Sequence, residues 1–178
     1  SALKPWWSAV DAPTPVLVAR ATILQSDHQF DRALADLDLA LQREPRNSRA
    51  LLVRATVLTV QGRFALARVE CPKLYGLVPD LYIVVCVATV DSLTGKSAAA
   101  MASIERTMNA AGVTPESGAW AATTLGEIAA RRGDPVAEAQ FRAALAADPR
   151  DLYTLGAYAD WLLENGRASD VIPLVRND

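Results

Sequence analysis

Histidine occurs once in the 178 residues and cysteine twice, so side chains that bind metals or act as nucleophiles are scarce. The sequence has no Gly-rich phosphate loop, no Cys-x2-Cys pair and no serine in a nucleophile-elbow context. His28, the only histidine, has no cysteine or acid cluster beside it, which makes it a poor ligand or base. We expect the paired acids Asp36/Asp38 and Asp160/Glu164 on solvated helix faces. The sequence therefore predicts no enzyme, no catalytic residues, no metal site and no cofactor.

An excess of positive charge and a long apolar run are also missing. The formal net charge is −2, whereas general nucleic-acid binding depends on a basic face. The longest apolar run, Leu81 to Val90, is shorter than the ~18 to 20 residues needed to span a bilayer, and Asp91 interrupts it. We therefore expect no nucleic-acid partner and no membrane insertion.

The composition indicates a packed helical protein. Hydrophobic residues make up 51% of the chain and aromatic residues only 6%, so the chain can bury a core without being strongly aromatic. Alanine and leucine dominate and β-branched runs are short, which suits closely packed helices. We expect one globular, all-α unit.

Several residues recur with a spacing of 34 positions. Arg20-Ala21-Thr22 precedes Arg54-Ala55-Thr56 by this distance, and Pro45 precedes Pro79 by the same distance. Self-similarity at a fixed period of about 20 to 50 residues is typical of stacked repeats.

The residues at this period resemble the tetratricopeptide repeat (TPR) family, whose unit is a helix hairpin. The first helix of each of five copies carries a similar short motif: Leu17-x2-Arg20-Ala21, Leu51-x2-Arg54-Ala55, Val84-x2-Val87-Ala88, Leu125-Gly126 and Leu155-x2-Tyr158-Ala159. The second helix of each of the first four copies carries an alanine at the matching position: Ala33, Ala67, Ala100 and Ala137. The chain is similar to a fragment of a longer, bacterial-type TPR protein, and Ala2 to Pro5 resembles the end of a preceding second helix; a disordered tag remnant is the alternative.

The resemblance implies an all-α, right-handed superhelical array of antiparallel helix hairpins, a TPR-like solenoid. It places one domain over residues 1–178, with repeats at about 14–47, 48–80, 81–117, 118–151 and 152–178, the last one truncated, after a linker or repeat end at 1–12. The turns within the hairpins fall at His28, Gly62, Gly95, Gly133 and Gly166. Because His28 stands where the other copies have glycine, we expect it to adopt a positive φ.

Two stretches depart from the pattern. The β-branched run Leu81 to Val87 could form a buried strand, but its position in the repeat favours a helix. Between Gly95 and Gly133 the spacing grows, and we expect a longer loop at Asn109 to Ser117, where Gly112 ends one helix and Pro115 starts the next. Asp91 takes the place of an apolar residue. We interpret it as a satisfied polar group near a helix end, and loose packing of this repeat is the alternative.

In TPR arrays the first helix of each hairpin lines a concave groove. The resemblance therefore implies peptide-binding positions at Thr22, Arg49, Thr56, Tyr82, Thr89, Trp120, Glu127, Tyr153 and Asp160. The alternative for the three aromatic residues is packing between repeats. Some family members hold an acidic tail with a clamp of lysine, arginine and asparagine, but here the corresponding positions are mostly apolar or hydroxylic, and the later ones are acidic. The expected partner is a protein or peptide segment that is not strongly acidic.

Two functions remain open from sequence: a peptide-binding scaffold that uses the groove, and a structural or oligomerisation module that stacks through the ends of the array, which leaves a homo-oligomer open. The compartment also remains open, because the sequence begins Ser1-Ala2 without methionine and a targeting segment could precede it. A cytoplasmic protein and a periplasmic or secreted one are both compatible with this sequence.

The two cysteines lie almost symmetrically about the predicted turn Gly76 to Asp80. Cys71 belongs to a second helix and Cys86 to the next first helix, so we expect them at the same depth on facing helices. Geometry permits a disulfide if both side chains point into the seam, and buried free thiols are the alternative.

Overall fold

The computed structural model describes residues 11–109 and 112–175. The residues Ala2 to Pro5, on which the prediction of a preceding repeat rests, lie outside this part of the chain. The described residues form α-helices, with two short 3-10 helices and no strand, which confirms the all-α prediction.

The α-helices are α1 (Thr14–Ser26), α2 (Phe30–Arg43), α3 (Ser48–Val60), α4 (Phe64–Glu70), α5 (Asp80–Leu93), α6 (Ser97–Met108), α7 (Pro115–Arg131), α8 (Val136–Ala147), α9 (Leu152–Glu164) and α10 (Val171–Val175). The 3-10 helices are Cys71–Leu74 and Ala168–Asp170. Leu81 to Val87 lies within α5, so the repeat position identified this stretch correctly as helix.

The chain contains two compact units, Ser1–Val90 and Asp91–Asp178. They are described separately below. The single domain and the repeat boundaries stay predictions.

The first hairpin of the first unit, α1 and α2, packs around an apolar core. Leu17, Ala21 and Leu24 of α1 are buried with Leu37 and Ala40 of α2. These side chains recur every three or four positions, so each helix presents one apolar stripe to the other. Burial of small alanines at the contact lets the two helices approach closely.

All five predicted turns carry a residue with positive φ after the first helix of a hairpin. The φ values are 56° at His28, 72° at Gly62, 88° at Gly95, 65° at Gly133 and 73° at Gly166. In each turn the next N–H donates to the carbonyl five residues earlier, as Gln29 N does to Leu24 O at 2.8 Å. This is the Schellman arrangement, which satisfies carbonyl groups at a helix end. The turn predictions, including that for His28, are confirmed.

We expect Gly62→Val to destabilise the first unit by about 1 kcal/mol or more, because a β-branched residue is strained at positive φ. A Cβ built at Gly62 meets no atom within 4 Å, so the loss would come from the backbone and not from a clash. Thermal unfolding of Gly62→Val and of Gly62→Asn separates backbone strain from a steric clash. Asparagine also adds a side chain but tolerates this backbone conformation, so it should cost less than valine. Equal melting temperatures for valine and glycine would contradict the assigned turn.

A buried ion pair joins the two helices of the first hairpin. Arg20 donates two hydrogen bonds to Asp36, Nε to Oδ2 and Nη2 to Oδ1, each at 2.6 Å. The two residues are only 7% and 8% exposed, and the hydrogen bond to Asp36 is the main cause that raises the pKa of Arg20. The expectation that Asp36 lies on a solvated face is therefore wrong. Asp38 does lie at the surface, with 60% of its side chain exposed.

The same arrangement recurs one repeat later. Arg54 and Glu70 are each 34 positions after Arg20 and Asp36, and Arg54 forms an ion pair with Glu70, whose side chain is 5% exposed. Arg54 also contacts Asp38 at 3.0 Å, and Lys73 contacts Glu70 at 2.9 Å. The repeat period therefore applies to polar contacts inside the hairpin as well as to apolar ones.

The second hairpin of the first unit has an interrupted second helix. Pro72 has no N–H to donate, and α4 ends at Glu70 and continues as a 3-10 helix. In this segment Cys71 is bonded to Cys86 of α5, with a Cα–Cα distance of 5.7 Å, typical of disulfides. Both residues are buried in a cluster with Leu51, Leu74 and Ile83.

In the second unit, α7 is longer than the other first helices. It has 17 residues, whereas α1 has 13. Pro115 occupies its first turn, and Thr114 and Ser117 cap it reciprocally, so the helix begins where the sequence indicated. Part of the surplus spacing is therefore an added turn of helix, and the connection from Met108 to Pro115 is also longer than the connection from Arg43 to Ser48, as expected. Asp91 contacts Lys96 at 4.0 Å, which supports its interpretation as a satisfied polar residue.

Close packing of α7 on α8 depends on Gly126. A Cβ built there would lie 2.7 Å from Cε1 of Phe141, which is closer than carbon atoms can approach. Phe141 is 1% exposed and stacks on Tyr158 of α9 at a ring distance of 5.6 Å. Gly126 thus allows one aromatic side chain to connect three helices.

The last hairpin is tied to α8 by a polar network centred on Glu138. Its carboxylate accepts hydrogen bonds from Arg167 at 2.7 Å, from the Tyr158 hydroxyl at 2.8 Å and from Arg142 at 2.8 Å. Of these contacts the hydrogen bond from Arg167 does most to lower the pKa of Glu138, to about 2.

This shift predicts a pH dependence. Because the folded pKa lies below the ordinary value of 4.5, ionised Glu138 contributes stability above pH 4.5 that is lost as the pH falls towards about 2. We expect Glu138→Gln to lower the melting temperature at pH 7 and the difference from the unsubstituted protein to vanish near pH 2. The exposed Glu105 of α6 provides the control, Glu105→Gln, with little change at either pH. A difference at pH 7 that persists at pH 2 would contradict the role of this carboxylate.

Candidate functional site

In the first unit, the predicted binding residues lie on first helices and are not deeply buried. Thr22, Arg49 and Thr56 are exposed, and Tyr82 and Thr89 are half-buried. The three threonine hydroxyls each donate to the carbonyl four residues earlier, at 3.0, 3.0 and 2.9 Å. A partner would therefore meet these hydroxyl oxygens as acceptors.

In the second unit, the structure brings three of the four predicted residues together. Glu127 of α7 and Tyr153 and Asp160 of α9 line one open pocket of about 510 Å³. The lining residues of α9 recur about once per turn along one face of the helix. They are Tyr153, Gly156/Ala157, Asp160 and Glu164. A volume of this size lies within the range of about 300 to 1,000 Å³ that is usual for ligand pockets.

A hydrogen bond joins two of the predicted residues in the pocket lining. The Tyr153 hydroxyl donates to Glu127 Oε1 at 2.5 Å. Tyr153 is 63% exposed, so the alternative that it packs between repeats is wrong for this residue. Burial is the main cause that raises the pKa of Glu127, and burial and the nearby Glu127 raise the pKa of Tyr153. The raised pKa of Tyr153 keeps its hydroxyl protonated and able to donate.

The charges around the pocket are mostly negative. Glu127, Asp160 and Glu164 contribute three carboxylates, against the single guanidinium of Arg131. Arg131 Nη2 also donates to Ser92 Oγ at 3.2 Å. The lining therefore has a formal charge of −2 when all four groups are ionised.

Sequence reasoning missed the apolar part of the pocket. Leu152, with 83% of its surface exposed, and Trp161 complete the lining next to Tyr153 and Asp160. Arg167 lies over the Trp161 ring at 5.7 Å, in the range of a cation–π contact. The position of Trp161 follows from the helical period counted from Tyr153, whereas Leu152 is the first residue of α9. Whether another side chain covers either residue depends on the fold.

Trp120, the fourth predicted residue of this unit, lies elsewhere. It is half-buried and lines a separate pocket of about 350 Å³ with Pro115, Glu116, Asp148 and Asp151. It therefore lines a different pocket from Glu127.

Comparison with known proteins identifies the fold. No protein-family model matches the chain, and no curated protein matches it. Among solved structures, TTC0263, a thermophilic TPR protein in Thermus thermophilus, is similar with a TM-score of 0.70 and 20% identity, over 93% of this chain and 93% of that one. YrrB, a TPR protein with an unusual peptide-binding site, has a TM-score of 0.52 and 18% identity, over 98% of this chain and 89% of that one.

These likenesses confirm the predicted fold. The chain is a TPR-like repeat protein, as the spacing of its hairpins indicated. Across the described residues, no helix has both the length and the apolar character required to cross a membrane.

Proposed function

We propose that the chain is a binding scaffold for a peptide or protein segment, recognised by the exposed faces of its first helices. The observation that carries this proposal is the pocket of Glu127, Tyr153 and Asp160, in which exposed aromatic and charged side chains from two first helices converge. Convergent polar groups beside apolar surface are what a recognition site needs. The TPR-like fold, seen in YrrB with a peptide-binding site, agrees with it.

The charge of the pocket supports a partner that is not strongly acidic. Glu127, Asp160 and Glu164 would repel an anionic segment, while Leu152 and Tyr153 offer apolar surface to an uncharged or basic one. In the first unit we propose that Thr22, Arg49, Thr56, Tyr82 and Thr89 contact the same class of partner. Trp120 would contact it through its separate pocket.

Selection from a library of random displayed peptides tests the proposal. We expect peptides that bind the protein and lose affinity for Glu127→Lys and, to a smaller extent, Trp120→Ala. The control Glu105→Lys makes the same charge change at an exposed position of α6 and should not alter binding. Failure to select any peptide, or equal loss with the control variant, would overturn the proposal.

A second candidate is oligomerisation through the last hairpin. There Leu163 and Ile172 are 53% and 57% exposed, and an open pocket of about 520 Å³ is lined by Leu145, Leu162 and Leu174 among others. We expect light scattering at increasing concentration to show dimers that Ile172→Glu abolishes if this face associates. A monomer at high concentration would exclude this function and leave peptide binding as the proposal.

A further inference from the structure

We infer that the pocket of Glu127, Tyr153 and Asp160 binds a lysine or arginine side chain of the partner segment. The inference rests on the proposed function, since it names the residue that the segment presents to this pocket. Its basis is the combination of unpaired carboxylates with exposed apolar surface at one concave site.

The carboxylates are available to a cation. Among the described residues, Asp160 and Glu164 form no hydrogen bond or ion pair through their side chains, and both are exposed. The Arg131 guanidinium, the one basic group of the lining, donates to Ser92 Oγ, and its charge also acts on Glu127, where it lowers the pKa. A cation entering here would gain attraction from two acids without displacing an existing partner.

Glu127 provides the more buried contact, since it is half-buried whereas Asp160 and Glu164 are exposed. The Tyr153 hydroxyl binds its Oε1, and no other described side chain donates a hydrogen bond to this carboxylate. The Glu127 side chain therefore has acceptor capacity for an ammonium or guanidinium group, and its orientation is set by Tyr153. Because burial reduces screening by solvent, a charge pair at Glu127 should count for more than one at Asp160.

The apolar lining fits the rest of a basic side chain. Lysine and arginine have aliphatic stems that pack along apolar surface while the charged end stays in a polar region. Leu152 and Tyr153 are 83% and 63% exposed at this pocket and offer such a surface. A bare metal ion would not use it, and no three acidic, cysteine or histidine side chains in the described part of the chain are placed to hold one.

The test uses peptides selected on the unsubstituted protein and measures their affinity by fluorescence anisotropy. We expect each to contain a lysine or arginine whose replacement by methionine, similar in length but uncharged, weakens binding about tenfold or more. Asp160→Asn with Glu164→Gln should weaken the original peptide and leave the methionine peptide unaffected. Glu105→Gln is the matched control and should change neither.

A charge exchange makes the test specific. Asp160→Lys should lose the original peptide, and a peptide with glutamate in place of the basic residue should recover part of that affinity. Comparing lysine and arginine at the same peptide position shows which of the two the pocket prefers. Circular dichroism confirms that each variant is folded.

The outcomes separate the two proposals. Peptides that bind in the groove but tolerate methionine at every basic position would overturn this inference and leave the proposed function standing. The absence of any bound peptide would overturn both.

Discussion

Replacing Asp36 with alanine is expected to lower the free energy of unfolding by about 3–5 kcal/mol, the largest loss we expect from a single substitution here. The carboxylate accepts two hydrogen bonds from Arg20 where both side chains are almost fully buried. Without it, the buried guanidinium loses the carboxylate that accepts two of its hydrogen bonds, and removing one member of a buried pair costs more than the pair itself contributes. Urea denaturation of the variant and the unsubstituted protein measures the difference.

The chain offers two controls for this effect. Asp38, two positions along the same helix, pairs with Arg54 at the surface, so Asp38→Ala should cost less than about 1 kcal/mol. Replacing both members of the buried pair, Arg20→Met with Asp36→Leu, should recover most of the stability, since no charge remains buried. Equal losses for Asp36→Ala and Asp38→Ala would contradict the burial of the first pair.

Reducing the Cys71–Cys86 disulfide is expected to cost about 3 kcal/mol of stability in the first unit. The bond closes a loop with a sequence separation of 15, for which the loss of unfolded-chain entropy has about this size. The bond also links the 3-10 segment that follows α4, where Pro72 interrupts the helix, to α5. We therefore expect denaturation with reductant to shift the transition to lower urea.

The double variant Cys71→Ala with Cys86→Ala should show the same low stability with and without reductant. Alkylation of the unreduced, denatured protein followed by mass spectrometry reports the bond directly. We expect no alkylated cysteine before reduction and two after it. Two alkylated cysteines before reduction would mean that the thiols are free.

Periodicity predicted the parts of the fold that repeat. The turn at His28 followed from its alignment with Gly62, and the helix at Leu81 to Val87 followed from its position in the repeat despite the β-branched composition. These features depend on local geometry that recurs in each copy, so one copy predicts another.

Features that depend on contacts across the hairpin were harder to predict. Aspartate is usually found at the surface, and Asp36 is buried here together with its ion-pair partner Arg20. The sequence held one signal, since Glu70 repeats Asp36 at the same distance as Arg54 repeats Arg20. The end of α4 was also visible, because Pro72 interrupts an otherwise helical pattern.

The candidate site was predicted in part. Glu127, Tyr153 and Asp160 were named from their place on the first helices, and the structure gathers them in one pocket. Leu152 and Trp161 were missed because repeat position gives the direction of a side chain but not whether a neighbour covers it. Trp120 was grouped with them on the same reasoning, and it lies in another pocket.

The most direct test of peptide recognition is a map of amide chemical-shift changes when a selected peptide is added to the labelled protein. The proposal predicts the largest changes on α7 and α9 around Glu127, Tyr153 and Asp160, and their loss when the basic residue of the peptide is replaced by methionine. Changes confined to the second helices α8 and α10, with none around Glu127, would contradict it.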